Sequence, residues 1–183
     1  MIIDNTVPFK SSPIKGVELL IGAGNSRKKE LALPGKQEFV DVVTLDIDPD
    51  SEPDVQWDLN HLPLPFEDET FEEIHAYEVL EHVGKQGDWK TFFAQFEEFY
   101  RILKPGGHFF ATTPMWDSQW AWADPGHTRI IAPGSIMFLD QEEYERQVGN
   151  TPMTDYRHVY KADFEIVHSQ EVGERFAFVL KKR

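Results

Sequence analysis

Short apolar runs, most of them followed directly by a glycine or an acidic residue, recur along this chain and constrain its fold most strongly. The first two cover 17–21, which stops at Gly22, and 40–45, which stops at Asp46. Shorter runs follow at 55–57, 73–77 and 108–112. Runs of this length bounded by turn residues are typical of buried β-strands. Two final runs flank Gly173 and predict a terminal antiparallel hairpin.

Helical periodicity separates some of these strands. Aromatic and apolar residues recur every three or four positions over 89–103, directly after Asp88 as a candidate N-cap. A second helix is predicted from Asp140, with Glu143 as its capping-box partner. Strands that alternate with helices predict an α/β fold in three layers, with helices on both faces of a mostly parallel sheet. Ligands bind such sheets at the carboxyl ends of the strands.

Composition limits the class of function. The chain carries 18 basic and 32 acidic residues, a net charge of −14, which disfavours a nucleic-acid partner because such binding is driven by counterion release. The absence of cysteine excludes disulfides, thiolate zinc sites and a cysteine nucleophile. No apolar run approaches the ~18 residues of a membrane span, and the first residues lack signal-peptide features. We therefore expect a single domain over 1–183 that is cytoplasmic and has no membrane partner, with its oligomeric state left open.

A glycine turn and a carboxylate mark the ends of the first two predicted strands. Gly22 and Gly24 lack a Cβ, so a ligand can approach the backbone there. Asp46 follows 24 positions after Gly22, a spacing at which a carboxylate accepts hydrogen bonds from both ribose hydroxyls of a nucleoside. Each feature alone also fits an ordinary turn or a solvated acid. Together they favour a nucleoside cofactor.

Five motifs in this order resemble those of the class I S-adenosylmethionine-dependent methyltransferases. They lie at 17–24 (VELLIGAG), 44–49 (TLDIDP), 54–66 (DVQWDLNHLPLPF), 71–83 (FEEIHAYEVLEHV) and 99–107 (FYRILKPGG). The resemblance implies a Rossmann-like sandwich with an antiparallel C-terminal hairpin strand and S-adenosylmethionine as cofactor. It also implies methyl transfer by in-line displacement, and we expect a small-molecule or sugar-like acceptor. The cofactor half is expected over about 14–113.

The resemblance also implies which residues contact the cofactor. By position, Asp46 holds the ribose, Ile47 packs on the adenine and Asp58 accepts from the adenine amine. Tyr77 lies beside the methyl group. The full set of implied cofactor-binding residues is Glu18, Gly22, Ala23, Gly24, Asp46, Ile47, Asp58, Leu59 and Glu78.

Residue 26 departs from the family's pattern, because Ser26 stands where the third glycine is usual. Basic residues at 27–29 oppose the positive end of a helix dipole, and Pro34 follows closely, so the first helix is expected to be short or irregular. This departure leaves a non-catalytic or partner-dependent cofactor-binding module as an alternative. A nicotinamide-dependent oxidoreductase is a second alternative, although Arg27 stands where its G-x-G-x-x-G motif needs glycine.

Residues 114–135, named the lid segment here, follow the fifth strand and are expected to cover the reactive end of the cofactor. Its tryptophans either cap the core or contact the acceptor. His127 is the candidate general base, since histidine exchanges protons near neutral pH, and Arg129 is a candidate partner for an anionic acceptor. With Tyr77 they complete the predicted catalytic set. Glu81 and His82 are metal-ligand types, but two adjacent residues define no coordination geometry, so we expect no metal.

Overall fold

A seven-stranded sheet forms the middle of the molecule, in the order β3-β2-β1-β4-β5-β7-β6. The structure, a computed structural model, describes residues 17–183, so the predicted start of the cofactor half at residue 14 lies outside the described residues. The strands are β1 (Glu18–Ile21), β2 (Val42–Asp46), β3 (Val55–Gln56), β4 (Phe71–Tyr77), β5 (Leu103–Pro114), β6 (Phe164–Val172) and β7 (Arg175–Lys182). The first five run parallel, and β7 lies antiparallel between β5 and β6. The predicted Rossmann-like sheet with its antiparallel hairpin is confirmed.

The strand order places a crevice at the carboxyl ends of the strands, beside β1. The chain runs outward from β1 through β2 to β3, then returns to the other side of β1 with β4. Parallel sheets bind ligands at the carboxyl ends of the strands where the order reverses in this way. Gly22 follows β1 directly, and Asp46 is the last residue of β2, so both lie at this point.

The helices are α1 (Trp89–Ile102), α2 (Gln119–Ala123), α3 (Pro133–Ile136) and α4 (Gln141–Gln147). Helix α1 begins as predicted, because the Asp88 side chain accepts a hydrogen bond from the Thr91 amide. It buries Phe96 and Phe99 against the sheet, where the rings of Phe99 and Phe109 stack 4.8 Å apart. Among residues 17–183, no helix combines the length and the apolar character needed to cross a bilayer.

Helix α4 begins after Asp140, as predicted, but through a different cap. The Asp140 carboxylate accepts from the Glu142 amide at 3.0 Å. Glu143 instead bonds to Arg146 and Gln147, so the predicted capping box is wrong. Helices α2 and α3 have five and four residues, too few for a hydrophobic period to reveal them.

Residues 22–41, named the linking segment here, join β1 to β2 without a helix, whereas a short or irregular helix was predicted there. The segment covers a polar face of the sheet. Lys29 is buried there and donates to Glu73 Oε2 at 2.6 Å and to Glu18. Lys36 also bonds to Glu73, so two carboxylates meet two ammonium groups. His75 completes the cluster, and burial lowers the pKa of its ring below the usual value.

Candidate functional site

A cleft of about 260 Å³, named the cofactor cleft here, opens at the carboxyl ends of β1 and β2. It brings together most of the predicted cofactor-binding residues. Its lining comprises Gly22, Gly24, Leu45, Asp46, Ile47, Trp57, Asp58, Leu59, Asn60, Val79, His82 and Val83. Sequence reasoning missed Leu45, Trp57, Asn60, Val79, His82 and Val83. All six lie inside the quoted motifs, and the first four adjoin a predicted cofactor-binding residue.

The glycine turn allows no side chain at its first position. Gly22 has a φ of +60° and Gly24 a φ of +49°, a left-handed conformation that residues with a Cβ rarely adopt. A Cβ on Gly22 would also lie 2.3 Å from Cγ2 of Val79. The turn therefore presents bare main chain to the cleft.

Asp46 is held by that turn. Its Oδ2 accepts from the Gly24 amide at 2.7 Å, and its Oδ1 accepts from the Asp48 amide at 2.9 Å. A carboxylate offers about four lone-pair positions, and these two amides occupy one on each oxygen. The remaining positions suit a pair of neighbouring hydroxyls, as a ribose presents.

The rest of the lining is apolar on one side and acidic on the other. Ile47 is 51 % exposed although it is a large apolar side chain, so a flat ring placed against it would remove it from water. Asp58 accepts from the Asn60 amide at 2.9 Å through Oδ1 and lies 3.3 Å from His61 Nδ1 through Oδ2. Together with the glycine turn and Asp46, this lining fits S-adenosylmethionine.

Three predicted cofactor-binding residues lie elsewhere. Glu18 begins β1, at the end of the strand opposite the cleft, and its carboxylate is bonded to Lys29 and to the Val40 amide. The structure therefore corrects its predicted place in the site. The Ala23 side chain is buried and does not line the cleft, and Glu78 pairs with Arg175 at 2.9 Å.

Tyr77 and Arg129 are engaged within the protein, so the structure does not bring them to an acceptor. The Tyr77 hydroxyl lies 3.2 Å from the Leu31 carbonyl and 2.7 Å from His75 Nδ1, and burial raises the pKa of Tyr77 to about 12. Tyr77 shares the polar face of β4 with His75, since residues two apart on a strand point the same way. The Arg129 guanidinium donates to the Leu80 carbonyl at 2.8 Å and to Gln95, and burial lowers the pKa of Arg129 to about 10.

His127 lies against the Glu81–His82 pair, for which no metal was predicted. Its Nε2 is 4.0 Å from Glu81 Oε1, and its ring centroid is 4.6 Å from that of His82, which lines the cofactor cleft. The side chains of His127 and Glu81 are 9 % and 3 % exposed. His127 Nδ1 and both Glu81 oxygens have no hydrogen-bond partner among residues 17–183, and burial raises the pKa of Glu81 to about 8.

The tryptophans of the lid segment lie on the surface. Trp116, Trp120 and Trp122 are 50, 54 and 72 % exposed, so the interpretation in which they cap the core is wrong. The C-terminal part of the segment packs back on the site, because the Thr128 amide donates to the Glu81 carbonyl at 2.8 Å. This contact is what brings His127 beside Glu81.

Comparison with known sequences points to one family. Residues 19–111, half of the chain, match the methyltransferase domain family. Sterol 24-C-methyltransferase of Pneumocystis carinii (strain B80) is 25 % identical over 114 residues, which are 62 % of this chain and 27 % of that protein. The chain thus spans about a quarter of the length of this curated relative.

Comparison with solved structures shows the same fold. An S-adenosylmethionine-dependent methyltransferase from Archaeoglobus fulgidus aligns with a TM-score of 0.56 at 16 % identity, covering 92 % of this chain and 87 % of that one. One from Mesorhizobium loti gives 0.54 at 16 % identity, with 93 % and 94 % covered. The N-methyltransferase NodS from Bradyrhizobium japonicum, solved with S-adenosyl-l-homocysteine, gives 0.53 at 12 % identity, with 91 % and 78 % covered.

Proposed function

The chain belongs to the methyltransferase domain family, with S-adenosylmethionine as its cofactor, and we propose that it methylates a small-molecule or sugar-like acceptor by in-line displacement. The observation that supports the proposal is the Asp46 carboxylate, which two amides fix at the cleft while positions on both of its oxygens stay available. Family membership favours this function over the nicotinamide-dependent oxidoreductase that the sequence left open. The proposal treats the chain as one cytoplasmic domain without nucleic-acid or membrane partners.

The residues of the cleft act by positioning the cofactor relative to the acceptor. S-adenosylmethionine, when bound, supplies a sulfonium methyl group that is already activated for transfer. Holding an acceptor in line with such a group lowers the barrier through proximity and orientation. In this proposal Asp46 accepts from the ribose hydroxyls and Ile47 packs on the adenine. Asp58 accepts from the adenine amine, the Leu59 amide donates to a ring nitrogen, and the Gly22–Gly24 turn leaves room for the amino-acid part.

The acceptor side of the proposal rests on the lid segment. Its exposed tryptophans present broad apolar faces with a polar N–H, which suit a small acceptor that has both apolar and hydroxyl surfaces, such as a sugar. The negative charge of the chain argues against a polyanionic acceptor. Of the predicted catalytic residues, His127 adjoins the cleft through His82, whereas Tyr77 and Arg129 are bonded within the protein.

Binding measurements on a matched pair of variants test the cofactor site. Asp46→Asn removes the charge that accepts from the ribose, and Asp50→Asn removes the same charge from an exposed position in the same loop. A hydrogen bond to a charged group contributes about 1.5–3 kcal/mol, so we expect calorimetry to show affinity for S-adenosylmethionine reduced roughly 10- to 100-fold in Asp46→Asn. Asp50→Asn is expected to match the wild type. Equal affinity in a folded Asp46→Asn variant would refute the proposed ribose contact.

A second function has one observation in its favour. The linking segment stands where the first helix was predicted, and Ser26 replaces a glycine, which favours a cofactor-binding module that is non-catalytic or needs a partner. Formation of S-adenosylhomocysteine during incubation with a panel of sugars and small hydroxylated metabolites separates the two. Tight cofactor binding with no product above the background of Asp46→Asn would support the module.

A further inference from the structure

Three side chains with metal-ligand chemistry converge beside the cofactor cleft. Glu81, His82 and His127 each present a ligand atom, and these atoms all lie within 4.8 Å of one another. Glu81 is 2 % exposed, and neither of its oxygens has a hydrogen-bond partner in the described part of the chain. A buried carboxylate without a partner is costly, because ionisation in a low dielectric needs a compensating positive charge. A cation bound between the three side chains would supply that positive charge.

A second cluster of the same residue types provides a comparison, because there the positive charge comes from lysine side chains. Glu18, Glu73 and His75 lie equally close together, but Lys29 bonds to both carboxylates and Lys36 to one of them.

Glu81 has no comparable partner within 17–183. The nearby Arg129 directs its donors to the Leu80 carbonyl and to Gln95, and no salt bridge joins it to Glu81 among the described residues. Glu81 thus differs from Glu18 and Glu73, because no lysine or arginine among the described residues bonds to its carboxyl oxygens.

The backbone around His82 prepares one of its nitrogens for coordination. His82 Nδ1 lies 3.1 Å from the Gly126 carbonyl oxygen, to which it donates, so Nε2 carries the free lone pair. Histidine ligands of metals are commonly oriented by such a bond from the other ring nitrogen. A Cβ on Gly126 would come within 3.2 Å of His82 Nδ1, so the small residue lets the carbonyl approach.

From this geometry we propose that Glu81, His82 and His127 bind a divalent first-row transition metal ion, with Zn²⁺ as the best match. Two imidazoles and one carboxylate form a three-ligand set that Zn²⁺ accepts, leaving a further position for an exogenous ligand. Asp124 lies at the rim, with Oδ2 3.8 Å from His127 Nε2 and a side chain 46 % exposed. Because His82 also lines the cofactor cleft, the ion would border the cleft.

Metal binding to the chelator-treated protein, without cofactor or acceptor, tests the site directly. We expect calorimetry with ZnCl₂ to give one ion per chain for the wild type. His82→Ala and His127→Ala are each expected to weaken binding by roughly tenfold or more, and His168→Ala, at an exposed histidine on β6, is expected to leave it unchanged. Co²⁺ in place of Zn²⁺ is expected to give visible absorption bands that the two ligand variants lack.

A stability measurement separates loss of the site from loss of the fold. At about 100 times its dissociation constant, Zn²⁺ should raise the wild-type melting temperature by roughly 5–10 °C. Glu81→Gln removes the carboxylate ligand but keeps the size of the side chain, so this variant should melt close to the metal-free wild type and should show no shift with Zn²⁺. Absence of Zn²⁺ binding by the wild type would overturn the proposal, as would unchanged binding in His127→Ala and Glu81→Gln. Neither outcome bears on S-adenosylmethionine binding, which is measured separately with Asp46→Asn.

Discussion

Gly22→Ala provides the most quantitative test of the structure, because the added Cβ has both a conformational and a steric cost. The backbone φ of +60° is one that alanine rarely adopts, and the new Cβ would lie 2.3 Å from Val79 Cγ2 and 2.6 Å from Val79 Cβ. Gly24 has a similar φ of +49°, but a Cβ added there would have no other atom within 4 Å. The two glycines therefore share the conformational cost and differ in the steric one.

The magnitudes follow from these distances. A left-handed conformation costs a residue with a Cβ about 1–2 kcal/mol, which is the whole effect expected for Gly24→Ala. Forcing an extra methyl into packed surroundings costs about 1–3 kcal/mol more, so Gly22→Ala should lose about 2–5 kcal/mol in total. For a chain of this size, each kcal/mol corresponds to roughly 2–4 °C in melting temperature.

The assay is a double-mutant cycle on the free energy of urea unfolding. Val79→Gly removes both the Cβ and the methyl groups that the new Cβ would meet, so the Gly22→Ala/Val79→Gly variant should recover about 1–3 kcal/mol relative to the sum of the single changes. Gly24→Ala/Val79→Gly should show additive losses, since a Cβ on Gly24 would have no atom of Val79 within 4 Å. If Gly22→Ala costs no more than Gly24→Ala, or if the cycle is additive, the steric argument is refuted.

Two further predictions concern the polar cluster beneath the linking segment. Lys29→Met leaves two buried carboxylates with less positive charge, so it should cost about 3–5 kcal/mol of unfolding free energy. Lys36 is half exposed, so Lys36→Met should cost about 1 kcal/mol or less. Equal losses in urea titrations would contradict the argument that burial sets the size of the effect. Because burial lowers the pKa of His75, its contribution to stability is present above the unfolded pKa of about 6.5 and is lost as the pH falls. Urea midpoints measured from pH 7.5 to 5 should therefore decline more steeply for the wild type than for His75→Phe, and parallel profiles would contradict the assignment.

The sequence predicted the sheet, and it singled out several residues that the structure brings together at one cleft, because the signals there are local. Gly22 and Asp46 each follow directly on a short apolar run, and the carboxyl ends of parallel strands meet at one edge. The irregular linking segment was also predictable, since basic residues and Pro34 oppose a helix there. Glu18 was misplaced because it lies at the start of its strand rather than at the end.

The catalytic side was less predictable, because it depends on how distant segments pack. Tyr77 is the last residue of β4, yet the pleat turns it to the face that carries Glu73 and His75. His127 reaches Glu81 only through the path of the lid segment, where Thr128 bonds to the Glu81 carbonyl. A pair of adjacent residues therefore gave no reason to expect a metal, whereas the folded chain brings His127, a third residue with metal-ligand chemistry, beside them.

The linking segment has a consequence for how the molecule responds to its cofactor. Within residues 22–41 the buried side chains are Ala23 and Lys29, so this stretch is held by the ionic contacts of Lys29 and by the glycine turn that lines the cofactor cleft. Stretches with few apolar contacts open at a lower free energy than the whole domain, and a ligand held at one end raises that free energy. Occupancy of the cleft and local order of the linking segment would then be linked equilibria, in which a nucleoside bound at the glycine turn orders the rest of the segment.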